Sequence, residues 1–261
     1  MNFDRSIGIF YRYLYTMRKG LHHLSDLFYW PIVEILLWGL TSFWIQAQNF
    51  QVSNLPLILM TGLIFWQICW RGSVDISVCL LQEFWQRNLV NLFSTPLKVS
   101  EWIGGVLMLS SCKLLFTIGF ISFAIWLLYA LNVFTVGWAF IPFAATLLIF
   151  GWSIGFLASS AIIYWGHGVE MFAWMIGGLF APFSAVFYPV SALPMWAQNI
   201  SWCLPTTYIF EGMRIILHQG IFPKSYFFAS LGLDIVFLSA SICLFQLMFE
   251  KSRKKGLARL E

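Results

Sequence analysis

Continuous apolar runs, separated by short polar stretches, dominate the pattern along this chain. A helix needs about 20 mostly apolar residues to cross a bilayer, whereas a transmembrane β-barrel needs short segments of alternating polarity. The apolar runs cover residues 27–46, 56–81, 102–131, 135–163, 171–188 and 227–249. The pattern therefore predicts an all-α integral membrane protein with six transmembrane helices.

Residues 1–25 predict a separate amphipathic helix that does not cross the membrane. Apolar side chains form one stripe, which consists of Phe3, Ile7, Phe10, Leu14, Met17 and Leu21. Cationic side chains recur on another face, at Arg5, Arg12 and Lys19. Such a helix is typical of the membrane interface, with its cations toward lipid phosphates. Packing of the helix on a soluble partner is the alternative.

The connection between the second and third predicted spans, residues 82–101, is longer than a simple turn requires. It mixes apolar residues with polar ones, and Gln82 to Phe93 can form about three turns of helix. Pro96 disfavours helix at Thr95 and ends the element. A short amphipathic helix here suits the docking of a soluble partner, and an ordinary interfacial loop helix is the alternative.

Residues 189–224, between the last two predicted spans, also depart from a plain span pattern. Pro194 and Pro205 can each start a helix, and the first of these helices, residues 194–203, is too short to cross. Glu211 and Arg214 are three residues apart on one helix face and can pair. Bent backbone at membrane depth is tolerated only against protein or a water-filled cavity. We therefore expect short re-entrant helices that form an extracytoplasmic gate.

Composition excludes the soluble classes of protein. The chain has 261 residues, of which 60% are hydrophobic and only 10% are charged. A soluble domain carries about 25% charged residues. A soluble enzyme, a nucleic-acid binder and a disordered chain are therefore excluded. The five cysteines are scattered without the spacing of metal ligands, and we expect no metal site.

The positions of Lys and Arg predict the orientation in the membrane. Positive charges lie in the N-terminal segment, in the 82–101 connection and in the C-terminal tail, and the connections after the first and third spans have none. Because cytoplasmic loops are enriched in Lys and Arg, both termini are expected in the cytoplasm. Arg214 and Lys224 are exceptions on the predicted outer side.

Four charged residues inside the first three predicted spans fall at similar depth. They are Glu34, Arg71, Asp75 and Lys113. Charges within a bilayer are costly, so opposite charges on neighbouring helices should pair. We therefore predict one buried charge cluster. Its role stays open between clamping the helices together and contacting a polar substrate or switching between states.

Two further features lie inside the fourth and sixth predicted spans. Asp234 has no charged neighbour in sequence, and Arg214 or Lys224 is its expected partner. Gly151 and Gly155 form a GxxxG step, which permits close contact between helices without identifying the partner helix.

Two segments resemble one protein family. The stretch FYPVSALPMWAQNISWCLPTTYIFEGMRIIL is similar to the C-terminal signature of ABC-2 type permeases, the membrane subunits of a class of bacterial ABC exporters. The stretch NLVNLFSTPLKVSEWIGG resembles the cytoplasmic connection of the same family. The resemblance covers essentially the whole chain as one transmembrane domain. It is nearer to the drug and lipo-oligosaccharide branch than to the O-antigen branch.

The resemblance implies a transport subunit rather than an enzyme. In that family two permease copies pair around a pathway in the bacterial inner membrane, and two cytoplasmic ABC ATPase subunits drive transport. The substrate would be amphiphilic, either a drug, a lipid or a lipid-linked saccharide. The chain contains no GxxxxGK[ST] phosphate-binding loop, so we expect it to bind no cofactor, with ATP and Mg²⁺ held by the partner subunit.

The resemblance also implies roles for particular residues. The coupling helix that inserts into the ATPase would be residues 83–93, and the coupling residues would be Glu83, Phe84, Trp85, Arg87, Asn88, Asn91, Leu92, Phe93, Thr95 and Pro96. The outer gate would contain Pro194, Trp196, Pro205, Tyr208, Glu211 and Arg214. No residue is expected to be catalytic.

Two other classes of function are the alternatives. An ion-coupled transporter without an ATPase would be favoured by internal repeats, and none is visible. A lipid-modifying membrane enzyme would be favoured by His beside acidic residues at the membrane face. The four His, at positions 22, 23, 167 and 218, have no convincing acidic partner nearby in sequence.

Overall fold

The computed structural model describes residues 3–18, 21–48 and 54–255. These residues form helices joined by short turns, and no strand occurs among them. The α-helices are α1 Phe3–Arg18, α2 Leu21–Ala47, α3 Leu55–Trp85, α4 Leu89–Ser94, α5 Val99–Tyr129, α6 Phe140–Trp165, α7 Phe172–Phe180, α8 Met195–Ser201, α9 Pro205–Gln219 and α10 Lys224–Lys254.

Five helices in the described part of the chain are long and apolar enough to cross a membrane. They are Phe28–Ala47 within α2, all of α3 and α5, Val133–Trp165 that comprises a 3-10 turn and α6, and α10. Each coincides broadly with one of the predicted spans. The chain therefore has the architecture of an α-helical, multi-pass membrane protein.

The fifth apolar run, residues 171–188, differs from its prediction as one spanning helix. The helix α7 has nine residues and is followed by the 3-10 turn Ala181–Phe183. Pro182 lacks a backbone N–H, and its ring opposes the carbonyl four residues earlier, so it ends the helix. Nine residues rise about 14 Å, which is less than half of the hydrocarbon core.

The helix α3 lies at the centre and packs against α2, α5, α6, α7 and α9. Its closest approach is to α6, where Gly72 meets the GxxxG step. A Cβ atom on Gly151 would lie 2.4 Å from the carbonyl oxygen of Cys69, and one on Gly155 would lie 2.7 Å from that of Ser73. The GxxxG step is therefore used inside one chain, between α6 and α3.

The charges distinguish the two ends of the bundle. The helices α1 and α4, the first turn of α5 and the last turns of α3, α6 and α10 meet at one end, which we call the basic end. Its cationic side chains include Arg5, Arg12, Arg87, Lys98, Lys251, Arg253, Lys254 and Lys255. The segment from α7 to α9 extends to the other end, which we call the opposite end.

Candidate functional site

The predicted coupling helix, residues 83–93, is divided between two elements. The helix α3 continues to Trp85, and α4 begins only at Leu89. Arg87 takes a left-handed conformation, with φ of 49°, which ends α3. The backbone N–H of Asn88 then donates to the carbonyl of Glu83 at 2.9 Å. The predicted end of the element is confirmed, because Thr95 is extended before Pro96.

Burial separates the ten predicted coupling residues into two groups. Those facing the protein interior are Glu83, Phe84 and Leu92, which are buried, and Asn88 and Phe93, which are half-buried. Those on the surface are Trp85, Arg87, Asn91, Thr95 and Pro96. Only the second group can contact a docked protein directly, whereas the first fixes the loop to the helix bundle.

Glu83 is held at the basic end by side chains from two other elements. Its carboxylate accepts hydrogen bonds from Arg12 Nη2 at 2.7 Å and from Asn88 Nδ2 at 2.8 Å, and the side chain is 1% exposed. Tyr13 also hydrogen-bonds to Glu83, and its hydroxyl accepts a bond from Trp102 Nε1 at 2.9 Å. Burial is the largest cause that raises the pKa of Tyr13 well above its ordinary value.

A second carboxylate marks the other end of the same loop. Glu101, in the first turn of α5, accepts the backbone N–H of Lys98 at 3.0 Å and pairs with Arg5 Nη1 at 3.4 Å. Arg5 also donates to the carbonyl of Pro96. Because Arg5 and Arg12 are two helical turns apart, α1 holds both ends of the loop at once.

These contacts correct the expected environment of the α1 cations. Arg5 and Arg12 pair with protein carboxylates rather than pointing only to lipid phosphates, and Lys19 lies outside the described residues. The most buried residues of α1 are Ser6, Ile9 and Tyr13, and the stripe residues Phe10, Leu14 and Met17 are partly buried against the same core. Ile9 faces α5 because Gly105 leaves room for it there. A Cβ on Gly105 would lie 2.6 Å from the Ile9 side chain.

Replacing Arg12 with Ala is expected to destabilise the protein by about 2 kcal/mol, because a buried carboxylate loses a charged hydrogen bond. The measurement is the thermal unfolding temperature of the purified chain in lipid nanodiscs. Arg253→Ala is the matched control, because Arg253 pairs with Glu250 at 2.8 Å while both side chains are largely exposed. Exposed pairs contribute at most about 1 kcal/mol. Equal unfolding temperatures for the two variants would contradict the anchoring role of Arg12.

At the opposite end, α9 fixes the irregular segment that follows α7. Arg214 donates through Nη2 to the carbonyls of Ala185 and, at 3.1 Å, of Val186. Glu211 accepts the backbone N–H of Val190 at 2.7 Å. The two side chains also pair with each other at 3.2 Å, as their spacing predicts. The Glu211–Arg214 pair therefore forms hydrogen bonds with backbone groups at both ends of the turn at residues 185–190. These groups are not bonded within a helix.

Hydroxyl groups near the start of α9 bind the same segment. Thr206 donates to Ser184 Oγ at 2.8 Å, and Thr207 donates to the carbonyl of Phe183 at 3.3 Å. Four polar residues of the stretch PTTYIFEGMR therefore hold residues 183–190 against α9, namely Thr206, Thr207, Glu211 and Arg214.

The remaining predicted gate residues lie around α8 and α9. Pro205 is the first residue of α9, as predicted, and Pro194 precedes an α8 that is shorter than residues 194–203. Trp196 is exposed and contacts the ring of Phe183, with centroids 6.1 Å apart. Tyr208 donates to the carbonyl of Trp202 at 2.9 Å.

The predicted charge cluster occupies the interfaces of α3 with α2 and α5. Lys113 forms an ion pair with Asp75, and Glu34 accepts a hydrogen bond from Gln67. Arg71 lies within electrostatic reach of Glu34 and one turn before Asp75 on α3. The structure thus places the four charges in two adjacent contacts joined through α3.

Gln67 is the member of this group that sequence reasoning missed. It is uncharged, so a search for intramembrane charges passed over it. Residues 67, 71 and 75 are spaced by four, however, and therefore share one face of α3. This spacing is the signal that could have included Gln67.

The expected partners of Asp234 are wrong. Arg214 is engaged by Glu211 and the carbonyls of residues 185–186, and no ion pair joins Asp234 to Arg214 or Lys224 in the described chain. Both carboxylate oxygens of Asp234 are buried without a hydrogen-bond partner among the described residues.

Comparisons with known proteins assign no family to this arrangement. No protein-family model matches the chain, and no curated protein matches it. Within the described residues, no three or more His, Cys, Asp or Glu side chains come together as a set of metal ligands. The functional interpretation therefore rests on the geometry at the two ends and on the sequence resemblance.

Proposed function

We propose that this chain is the permease subunit of an ATP-driven exporter of the ABC-2 type. Two copies would pair in the bacterial inner membrane, and two cytoplasmic ATPase subunits would dock at the basic end. The excess of Lys and Arg at the basic end supports a cytoplasmic location for that end, and both termini would then lie in the cytoplasm. With α7 and the turns that follow it as one crossing, the chain would cross the membrane six times.

The observation that carries this proposal is the anchored loop at the basic end. Its outer residues include Trp85 and Arg87, and its base is fixed by the contacts of Glu83 and Glu101 with α1. A loop that transmits movement must be exposed to the moving partner and stiffly joined to the transmembrane helices. Because Glu83 belongs to the last turn of central α3, a displacement of this loop would move α3.

A further contact supports transmission beyond α3. Trp85 Nε1 donates to Glu170 Oε1 at 3.3 Å, and Glu170 lies between α6 and α7. The exposed loop would therefore be connected to three helices of the bundle, α3, α5 and α6.

The segment from α7 to α9 would close the outer end of the pathway. A cavity of about 400 Å³ lies beside this segment. Apolar side chains such as Leu59 and Phe187 line it together with the Glu211–Arg214 ion pair. Such a lining suits an amphiphilic substrate, a class that contains drugs, lipids and lipid-linked saccharides. ATP and Mg²⁺ would be bound by the ATPase subunit.

Large apolar side chains on the outside of the bundle fit pairing in a membrane. Residues such as Leu40 on α2, Leu115 and Trp126 on α5, and Val236 on α10 are exposed. In the proposed assembly, lipid and the second copy of the chain would cover them.

Co-purification with the ATPase encoded beside this chain tests the proposal. The tagged chain is expected to retain that ATPase and to change its rate of ATP hydrolysis. The double variant Trp85→Ala, Arg87→Ala should lower ATPase retention at least tenfold without changing the unfolding temperature, since both side chains are exposed. Lys224→Ala, an exposed change at the opposite end, is the control and should retain the ATPase normally.

The buried base of the loop gives a separate prediction within the same experiment. Glu83→Ala is expected to uncouple ATP hydrolysis from export while the ATPase stays bound, because the loop loses the contacts of Glu83 with Arg12 and Asn88 but keeps its exposed docking residues. If the unmodified chain neither retains the ATPase nor alters its turnover, the proposed function is wrong.

A further inference from the structure

Asp234 is a buried carboxylate inside the helix bundle. It has no role in the proposed coupling loop or in the outer segment. It lies on α10, in the half nearer the opposite end, and it is 0% exposed. Neither carboxylate oxygen has a hydrogen-bond partner among the described residues. This isolation distinguishes Asp234 from Asp75, whose charge is matched by Lys113.

The surroundings of Asp234 are mainly apolar. Three residues further along α10, Phe237 packs on Phe150 of α6, with ring centroids 5.4 Å apart. Ser230, one turn before Asp234, is also buried, and its hydroxyl has no partner among the described residues. The buried thiol of Cys69 on α3 is within electrostatic reach of Asp234.

Charged groups on the neighbouring elements are engaged elsewhere. On α9, Glu211 and Arg214 bind each other and the 185–190 turn, and His218 is exposed. The helix α6 has no charged residue, and its Tyr164 contacts Lys255 at the basic end. On α3, Arg71 and Asp75 interact with α2 and α5. On α10 itself, Lys224 and Tyr226 lie two or more turns before Asp234.

An ionised carboxylate in such a place is strongly unfavourable, because no cation or hydrogen-bond donor among the described residues offsets the lost hydration. A metal cation would need several oxygen ligands, and Ser230 is the nearest oxygen-bearing side chain along α10. A proton neutralises the carboxylate with no further ligand. It is therefore the ligand that this chemistry favours.

We propose that Asp234 is a proton-binding site inside the helix bundle. In the conformation described here it is a neutral acid, and it releases the proton when α10 separates from α6 and α9 and water reaches the carboxyl group. Movement of α10 would then be linked to proton release and uptake. This inference goes beyond the proposed exporter and does not depend on it.

Infrared spectroscopy of the full chain in lipid nanodiscs tests the protonation state directly. The sequence contains only four Asp, at positions 4, 26, 75 and 234, so labelling with ¹³C-aspartate isolates few carboxyl groups. At pH 7 we expect a label-sensitive band of protonated carboxyl that is lost in Asp234→Asn and retained in the control Asp4→Asn. A wild-type spectrum without this band, or a band that survives in Asp234→Asn, would overturn the proposal.

The pH dependence of stability supplies a second readout. If Asp234 holds a proton in the folded state but ionises above pH of about 4 in the unfolded chain, the folded state binds more protons, and stability must fall as pH rises. Asn has the shape of the protonated acid and cannot ionise. The fall in unfolding temperature between pH 5 and pH 8 should therefore be smaller in Asp234→Asn than in the wild type. Identical slopes would exclude a buried proton at this position.

Discussion

Lys113→Met is expected to destabilise the protein by about 3–5 kcal/mol, the effect of removing one partner from a buried ion pair. The side chain of Asp75 is 2% exposed and that of Lys113 is 15% exposed. Without the lysine, the buried carboxylate of Asp75 would lose its counter-charge. Met preserves most of the volume of the lysine stem, so the expected loss comes from the charge rather than from a cavity.

The measurement is the thermal unfolding temperature of the variant in lipid nanodiscs. Lys224→Met is the matched control, since Lys224 is exposed at the start of α10 and should change the unfolding temperature little. The double variant Lys113→Met, Asp75→Leu removes both charges and should recover most of the lost stability. A Lys113→Met protein as stable as the control would show that Asp75 is not dependent on this partner.

The same double variant separates the two roles that the sequence left open for these charges. Recovery of stability together with export would assign the Asp75–Lys113 pair a purely structural role. Recovery of stability without export would assign it a role in substrate contact or in switching between states.

Gly151→Ala is expected to destabilise the protein by about 3 kcal/mol, the upper part of the usual range for overpacking. Its new methyl group would lie 2.4 Å from the carbonyl oxygen of Cys69, and this neighbour is backbone. A flexible side chain could move aside, but the backbone of α3 can yield only if the two helices separate. Such separation would also loosen the neighbouring contact of Gly155 with Ser73.

Gly119→Ala on α5 is the matched control, because the added Cβ would meet no atom within 4 Å. Its effect should be neutral or slightly stabilising, since Ala favours helix over Gly by about 0.5–1 kcal/mol. Comparing the unfolding temperatures of the two variants isolates packing from helix propensity. If both substitutions have the same effect, the close contact between α3 and α6 is not a source of stability.

The loop at the basic end shows which of its features can be predicted from neighbouring residues alone. Pro96 predicts the end of the element, because the proline ring restricts Thr95 directly. The break at Arg87 has no comparable local signal, and the burial of Glu83 depends on Arg12, 71 residues away in sequence. The helix predicted to lie wholly in the loop is therefore partly the last turn of α3.

In the outer segment, too, local spacing predicts some contacts and not others. The spacing of Glu211 and Arg214 is sufficient to predict their pairing, because residues three apart share a helix face. Their hydrogen bonds to Val190 and to the carbonyls of Ala185 and Val186 follow from the break at Pro182, which leaves backbone groups without helical partners. Those contacts join elements whose relative position is not encoded in any local spacing.

The sequence by itself determined that this is a helical membrane protein, where most long helices lie, and which charges must avoid lipid. Apolar periodicity, proline and charge act on neighbouring residues and can be recognised locally. Only the tertiary structure decided which helix faces meet, that Arg5 and Arg12 hold Glu101 and Glu83, and that Asp234 has no hydrogen-bond partner among the described residues. The reason is physical, since burial and pairing depend on close packing between segments that are distant along the chain.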